Sequence, residues 1–228
     1  MTDPGLESAA ARVLELVADE MRVGLGTGHA TAVFLARLAD RIRSGLHVVG
    51  VPTSEATAAQ ARSLGITLGT LDDDSEALAL TVDGADEVAP NLDLVKGFGG
   101  ALVRERIVAA ASRRQVILVG HDKLVDRLGM RGRIPIEVVP FGAGFCRRRL
   151  AAEGYPPVVR TDGGTPVVSD NGNLILDCTV HRIADAAGLD EKLRAIPGVV
   201  GTGLFVGMAH TVLVWDEGRV TTMSRPEG

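Results

Sequence analysis

The chain has 228 residues, 46% of them apolar and 23% charged, with a formal net charge of −5. That balance suits one large globular domain, or one carrying a smaller second domain, and excludes a disordered chain. The acidic excess with no basic stripe argues against a nucleic-acid binder, and the charge-interrupted start MTDPGLESAAARVLELVADE, with no long apolar run anywhere, argues against a secretory leader or a membrane span.

Apolar periodicity predicts a helix over Leu6 to Ala18, a strand over Arg22 to Leu25, a helix over Ala30 to Ile42 and a strand over His47 to Val51. Phe34, Leu38 and Ile42 fall at helical spacing and give the second helix one buried face. A helix over Glu55 to Leu64 follows, then a weak strand near Ile66, a strand over Ala77 to Val82, a helix over Ala101 to Ser112 and a strand over Gln115 to Val119. Strands alternating with helices predict a mainly parallel sheet covered by helices, and ligands bind such sheets where strands end in Gly, Ser, Thr or Asp. After Gly129 the texture changes. Prolines cluster at 135, 140, 156, 157 and 166, DNGN at 170–173 signals a hairpin turn before LILDC, and a helix spans Asp185 to Ile196. The expectation is a small α+β domain over 130–203, inserted into a main domain of 1–129 and 204–228, with TVLVWDEGRVTTM as a final hairpin rejoining the main sheet.

Two strand ends stand out. VGLGTGHAT places Gly26, Thr27, Gly28, His29, Ala30 and Thr31 between a strand and a helix, where free N–H groups and the helix dipole favour an anion. It is neither a dinucleotide fingerprint, since His29 stands where a third glycine is needed, nor a phosphate loop of the GK[ST] type. An ordinary tight turn would read the same way. The second stretch, TVDGADEVAPNLDLVKGFGG, gathers Asp83 and Asp86 at a strand end, then Lys96, then Gly97, Phe98, Gly99 and Gly100, with Glu105 on the helix that follows. An isolated Asp-Gly is a turn signal. Here the glycines let backbone N–H groups approach a ligand oxygen, Lys96 can stabilise negative charge developing on it, and Glu105 can move a proton, the parts needed to remove a hydrogen next to a carbonyl. Only three of the 24 basic residues are lysines, which makes a compact ammonium at 96 more telling. Lys123 follows another strand end and can serve the same sheet edge. His47, His181 and His210 lack ligand spacing, so no metal site is expected, and Cys146 and Cys178 fit buried thiols in a reducing cytoplasm.

GLGTG at 24–28, PTSEAT at 52–57, DGADE at 83–87, KGFGGALVRE at 96–105, PIEVVPFG at 135–142, DNGNLILD at 170–177 and AIPGVVGTGLF at 195–205 together make the sequence resemble the type A ribose-5-phosphate isomerases. The resemblance implies a Rossmann-like main domain with a smaller, ferredoxin-like α+β domain. It implies an aldose–ketose isomerase acting through an enediol, with a sugar phosphate as substrate, no cofactor or metal, and a cytoplasmic homodimer or higher homo-oligomer. By position, Glu105 would be the base moving a proton between C2 and C1, Asp83, Asp86 and Lys96 would hold hydroxyls and stabilise the enediolate, and Lys123, Thr27 and the loop around Gly28 would line the substrate pocket. Three departures stand out: His29 and Ala30 replace the hydroxyl residues of the usual GTGST, Phe98 stands where glycine is common, and Leu6, Glu7 and Ser8 occupy a stretch where many members carry a lysine. A changed sugar, phosphorylated or not, is therefore an alternative reading, and a sugar-phosphate-binding module or a coenzyme A transferase are readings from other classes.

Overall fold

The computed structural model describes residues 3–72 and 77–225. In chain order its elements begin with helix α1 (Pro4–Leu14), β1 (Met21–Leu25), α2 (His29–Arg43), β2 (Val48–Pro52), α3 (Glu55–Ser63) and β3 (Leu80–Asp83). Next come β4 (Glu87–Val88), β5 (Leu94–Val95), α4 (Leu102–Ala110), β6 (Gln115–Gly120), β7 (Arg133–Val138) and α5 (Ala143–Ala152). The remainder is β8 (Pro157–Val159), β9 (Thr161–Asp162), β10 (Thr165–Pro166), β11 (Leu174–Thr179), α6 (Ala186–Arg194), β12 (Val199–Thr202), β13 (Leu204–Phe205), β14 (Thr211–Asp216) and β15 (Arg219–Ser224). Contacts divide the chain into one compact unit of residues 1–85, 104–123 and 208–228 and another of 86–103 and 124–207.

The first unit is built on a six-stranded sheet in the order β15-β14-β6-β3-β1-β2. β2, β1, β3, β6 and β14 run parallel and β15 closes the edge as an antiparallel hairpin strand. The final hairpin thus rejoins the main sheet. β6 is buried at every position, as a strand covered on both faces must be. Against the sheet, α1 packs Ala9, Ala10 and Val13, and α2 packs Phe34, Leu35 and Leu38, all in one core with Val23, Leu25, Val82 and Val116. Burying a Leu or Phe side chain contributes about 1.5–3 kcal/mol. α1 starts where Asp3 accepts a hydrogen bond from the Gly5 N–H at 2.8 Å and Pro4 presets the first turn. It ends at Leu14 rather than Ala18, because the N–H groups of Leu16 and Val17 bond back only three residues, tightening the end. The weak strand near Ile66 is reduced to a single bridge between Gly50 and Leu68.

The second unit holds a four-stranded antiparallel sheet in the order β12-β7-β11-β8, with α5 and α6 in the same core. Its connectivity, β7-α5-β8-β11-α6-β12, is the ferredoxin-like β-α-β-β-α-β arrangement. The DNGN turn leading into β11 is anchored by Glu137 of β7, fully buried, whose Oε1 accepts hydrogen bonds from Ser169 Oγ, Asn171 Nδ2 and Asn173 Nδ2. A short sheet, β13-β5-β4, ties 87–95 to 204–205. Among the described residues no helix is long and apolar enough to cross a membrane.

Candidate active site

In the first unit the carboxyl ends of β1, β2, β3 and β6 lead into the segments that carry Thr27, Thr53, Asp83 and Lys123, the sheet edge where open α/β proteins bind ligands. Asp83, 1% exposed, is the last residue of β3. Its Oδ1 accepts hydrogen bonds from the N–H of Thr27 at 3.1 Å and of Gly84 at 2.8 Å, so two fixed backbone dipoles orient the carboxylate. Gly26 is required beside it: a Cβ there would lie 2.3 Å from the Asp83 carboxyl group.

The turn after β1 is held by hydroxyls from the turn after β2. Thr57 Oγ1 donates to the Gly26 carbonyl at 2.9 Å, and Ser54 Oγ accepts from the Thr57 N–H at 3.0 Å, capping α3. Each hydroxyl has a single hydrogen to give. With Thr57 committed to Gly26, Ser54 donates to Thr57 at 3.0 Å, Thr27 donates to Ser54 at 2.9 Å, and Thr53 donates to Thr27 at 2.8 Å. The order Thr53, Thr27, Ser54, Thr57, Gly26 carbonyl is therefore fixed, and Thr27 has an oxygen lone pair but no hydrogen left for a ligand. Thr53, Ser54 and Thr57 are absent from the sequence-based set, and the three hydroxyls of PTSEAT are the signal that marks them.

Beyond this turn, Gly28 precedes α2 at φ 110°, with no side chain capping the helix. His29 is exposed, Ala30 half-buried, and Thr31 buried with no partner for its hydroxyl. The N–H groups of 29–31 precede the first intrahelical bond, made by the Ala32 N–H to the Gly28 carbonyl, the arrangement that favours an anion at a helix start. Glu105 lies on the first turn of α4 and is 5% exposed, so it is no solvated helix residue. Its neighbour Arg104 donates to Glu55 at the start of α3 and holds that carboxyl below the usual range. Lys123 closes a short 3-10 turn after β6, about a third exposed, with Nζ 3.5 Å from Asp122.

In the second unit Asp86 Oδ2 accepts the Phe98 N–H at 2.9 Å, which fixes the glycine loop to that carboxylate. Lys96 is 2% exposed, and its ammonium lies 5.5 Å from the centre of the Phe205 ring. The loop begins and ends in left-handed backbone, with Gly97 at φ 93° and Gly100 at φ 91°, conformations that side chains resist. Arg160 of the β8–β9 connection, absent from the sequence-based set, donates from Nη1 to the carbonyls of both Gly97 and Phe98 at 2.9 Å, and no local signal marks it. Thus Asp83 joins Thr27 and Asp86 joins Phe98, whereas His29 and Lys123 make no hydrogen bond to another predicted residue among those described. The one trio with metal-ligand reach among the described residues is Asp19, Glu20 and His47, exposed at the opposite sheet edge from Asp83, where the His47 N–H donates to Asp19 and lowers the pKa of its carboxyl.

Residues 49–218 match the family model described as ribose 5-phosphate isomerase A (phosphoriboisomerase A). A ribose-5-phosphate isomerase A of Gloeobacter violaceus is 51% identical over 219 residues, 96% of this chain and 95% of that one. The solved ribose 5-phosphate isomerase A of Methanocaldococcus jannaschii superposes with a TM-score of 0.92 at 38% identity, over 98% of this chain and 99% of that one. A D-ribose-5-phosphate isomerase solved in complex with phospho-erythronic acid gives a TM-score of 0.92 at 36% identity, over 97% and 98% of the two chains. On the family match and on half-identity across nearly its whole length, the chain belongs to the ribose 5-phosphate isomerase A family.

Proposed function

We propose that the protein interconverts D-ribose 5-phosphate and D-ribulose 5-phosphate through an enediol. The observation that carries this is identity of about half to a named isomerase over 96% of the chain, beside which stand Asp83, Asp86, Lys96 and Glu105 in DGADE and KGFGGALVRE.

In the proposed reaction the Glu105 carboxylate takes the hydrogen of C2 from the open-chain aldose. The C–H electron pair becomes the C1–C2 double bond, and the π pair of the C1 carbonyl moves onto O1. The ammonium of Lys96 stabilises that oxygen, and donors fixed in place beforehand lower the barrier most. Asp83 and Asp86, each oriented by backbone N–H groups, accept hydrogen bonds from sugar hydroxyls. The O2 proton passes to O1, the O2–H pair forms the C2 carbonyl, and the C1–C2 π pair takes the proton back from Glu105 at C1, which yields the ketose. The backbone donors at the start of α2 and Lys123 take the phosphate. Phospho-erythronic acid, bound by the solved relative, fits this reading chemically: its carboxylate spreads negative charge over two oxygens beside a hydroxyl-bearing carbon, as an enediolate does, and it carries a phosphate. The same resemblance supports a cytoplasmic homo-oligomer.

The test is turnover. Purified protein converts ribose 5-phosphate to the ketose with a kcat/KM above that for free ribose and for other aldose phosphates. No ketose from ribose 5-phosphate, or a higher kcat/KM on another sugar, overturns the assignment.

A further inference from the structure

Phe98 and Arg160 belong to one assembly in the second unit. The Arg160 guanidinium donates through Nε and Nη2 to both oxygens of Asp177, at 2.9 and 2.5 Å, and through Nη1 to the carbonyls of Gly97 and Phe98. The Arg160 and Asp177 side chains are 12% and 14% exposed, so the pair is held in a fixed, largely desolvated geometry. Arg133 stands 3.5 Å from Asp177 and lays its guanidinium over the Phe98 ring, 4.1 Å from the centre.

The consequence for the loop follows from peptide geometry. In a trans peptide the C=O and N–H point in opposite directions. Drawing the Gly97 carbonyl to Arg160 turns the Phe98 N–H away from it, and that N–H meets Asp86. Drawing the Phe98 carbonyl to the same guanidinium likewise turns the Gly99 N–H away from the clamp, on a residue that is exposed. A loop entered and left through glycines at positive φ has few conformational restraints of its own. Its shape comes from the clamp.

We propose that Arg160, oriented by Asp177, is a positioning residue for the isomerase reaction, and that Phe98 with Arg133 forms the second half of the same clamp, which fixes the loop that follows Lys96. This rests on the isomerase reading above. A loop whose donors act on developing charge affects kcat more than substrate binding.

The experiment compares Arg160→Met and Arg160→Lys with wild type for kcat and KM on ribose 5-phosphate, for melting temperature, and for amide hydrogen exchange of the 96–100 segment. The expected result is a fall in kcat of about thirtyfold in both variants with KM changed less than threefold, and exchange in 96–100 at least tenfold faster. Lysine fails to rescue because an ammonium cannot span a carboxylate and two carbonyls. Should Arg160→Met not fold because Asp177 is left with Arg133 alone, the double change Arg160→Met with Asp177→Leu removes both charges together and is read the same way. Wild-type kcat in either variant, a loss confined to KM, or unchanged exchange overturns the proposal. Absence of turnover in the wild-type protein sinks the isomerase reading instead, and exchange still decides whether the clamp shapes the loop.

Discussion

Replacing Gly26 by alanine adds one methyl group at the tightest point beside Asp83. The new Cβ would sit 2.3 Å from the Asp83 carboxyl carbon and Oδ1 and 2.6 Å from its Cα. Rotation of the Asp83 side chain cannot relieve this, since the backbone is among the atoms met and the carboxylate is held by the Thr27 and Gly84 N–H groups. The end of β3 or the turn after β1 must therefore shift by roughly 1 Å, an overpacking that costs about 1–3 kcal/mol. For a chain of this size that lowers the melting temperature by about 4–8 °C at the middle of the range. A displacement of about 1 Å in a group that orients substrate costs on the order of a hundredfold in rate. Turnover of ribose 5-phosphate and thermal unfolding measured side by side give both quantities, with Gly142→Ala, where nothing lies within 4 Å and φ is −97°, as a control expected to match wild type. A folded Gly26→Ala enzyme with kcat/KM within threefold of wild type would refute the reasoning, because the Asp83 carboxylate would then be either free to relax or irrelevant to the chemistry.

Glu105→Gln is expected to lower kcat about a thousandfold while KM stays within threefold, since a general base acts in the transition state; steady-state kinetics decide it, and retained turnover removes Glu105 from its role. Thr57→Val deletes the hydroxyl that bonds the Gly26 carbonyl and strands the Ser54 hydrogen, so kcat/KM falls about tenfold with a loss of roughly 1–2 kcal/mol in chemical denaturation, whereas Thr57→Ser stays near wild type; equal behaviour of the two variants counts against the hydroxyl chain. Burial pushes the Cys178 thiol up to about 12, with a smaller contribution from Asp177, so thiol reagents leave it unmodified in the native protein at pH 8. The folded state keeps that proton while the unfolded thiol loses its own, so this contribution is complete below about pH 9 and declines as pH rises toward 12, by roughly 1.4 kcal/mol at pH 10. Denaturant midpoints at pH 8 and pH 10 for wild type and Cys178→Ala check the sign: the wild type must lose more.

The alternation of strand and helix, the buried face of α2 and the hairpin that closes the main sheet were all legible locally, because each depends on side-chain period and turn chemistry within a few residues. Asp83, Asp86, Lys96 and Glu105 stand out in the sequence because carboxylates, a rare lysine and clustered glycines are unusual neighbours, and the fold buries Asp83, Lys96 and Glu105. The end of α1 was not: a helix tightening over its last turn leaves no compositional mark, and the run from Leu6 to Ala18 stays apolar past Leu14.

Long-range hydrogen bonding decided the rest. Arg160 reads in the sequence as one arginine among many in a proline-rich stretch, yet its guanidinium makes four hydrogen bonds, two to Asp177 and two to loop carbonyls more than sixty residues upstream. PTSEAT lies where a helix is predicted to begin, yet its hydroxyls order the hydrogen of Thr27 some thirty residues away in the chain. A residue's chemical type is local information and names what it can do. Which lone pair or N–H it has left to do it with depends on partners that only the folded chain brings within 3 Å, and here that accounting leaves Thr27 with a lone pair, the start of α2 with free N–H groups and the glycine loop with a fixed shape.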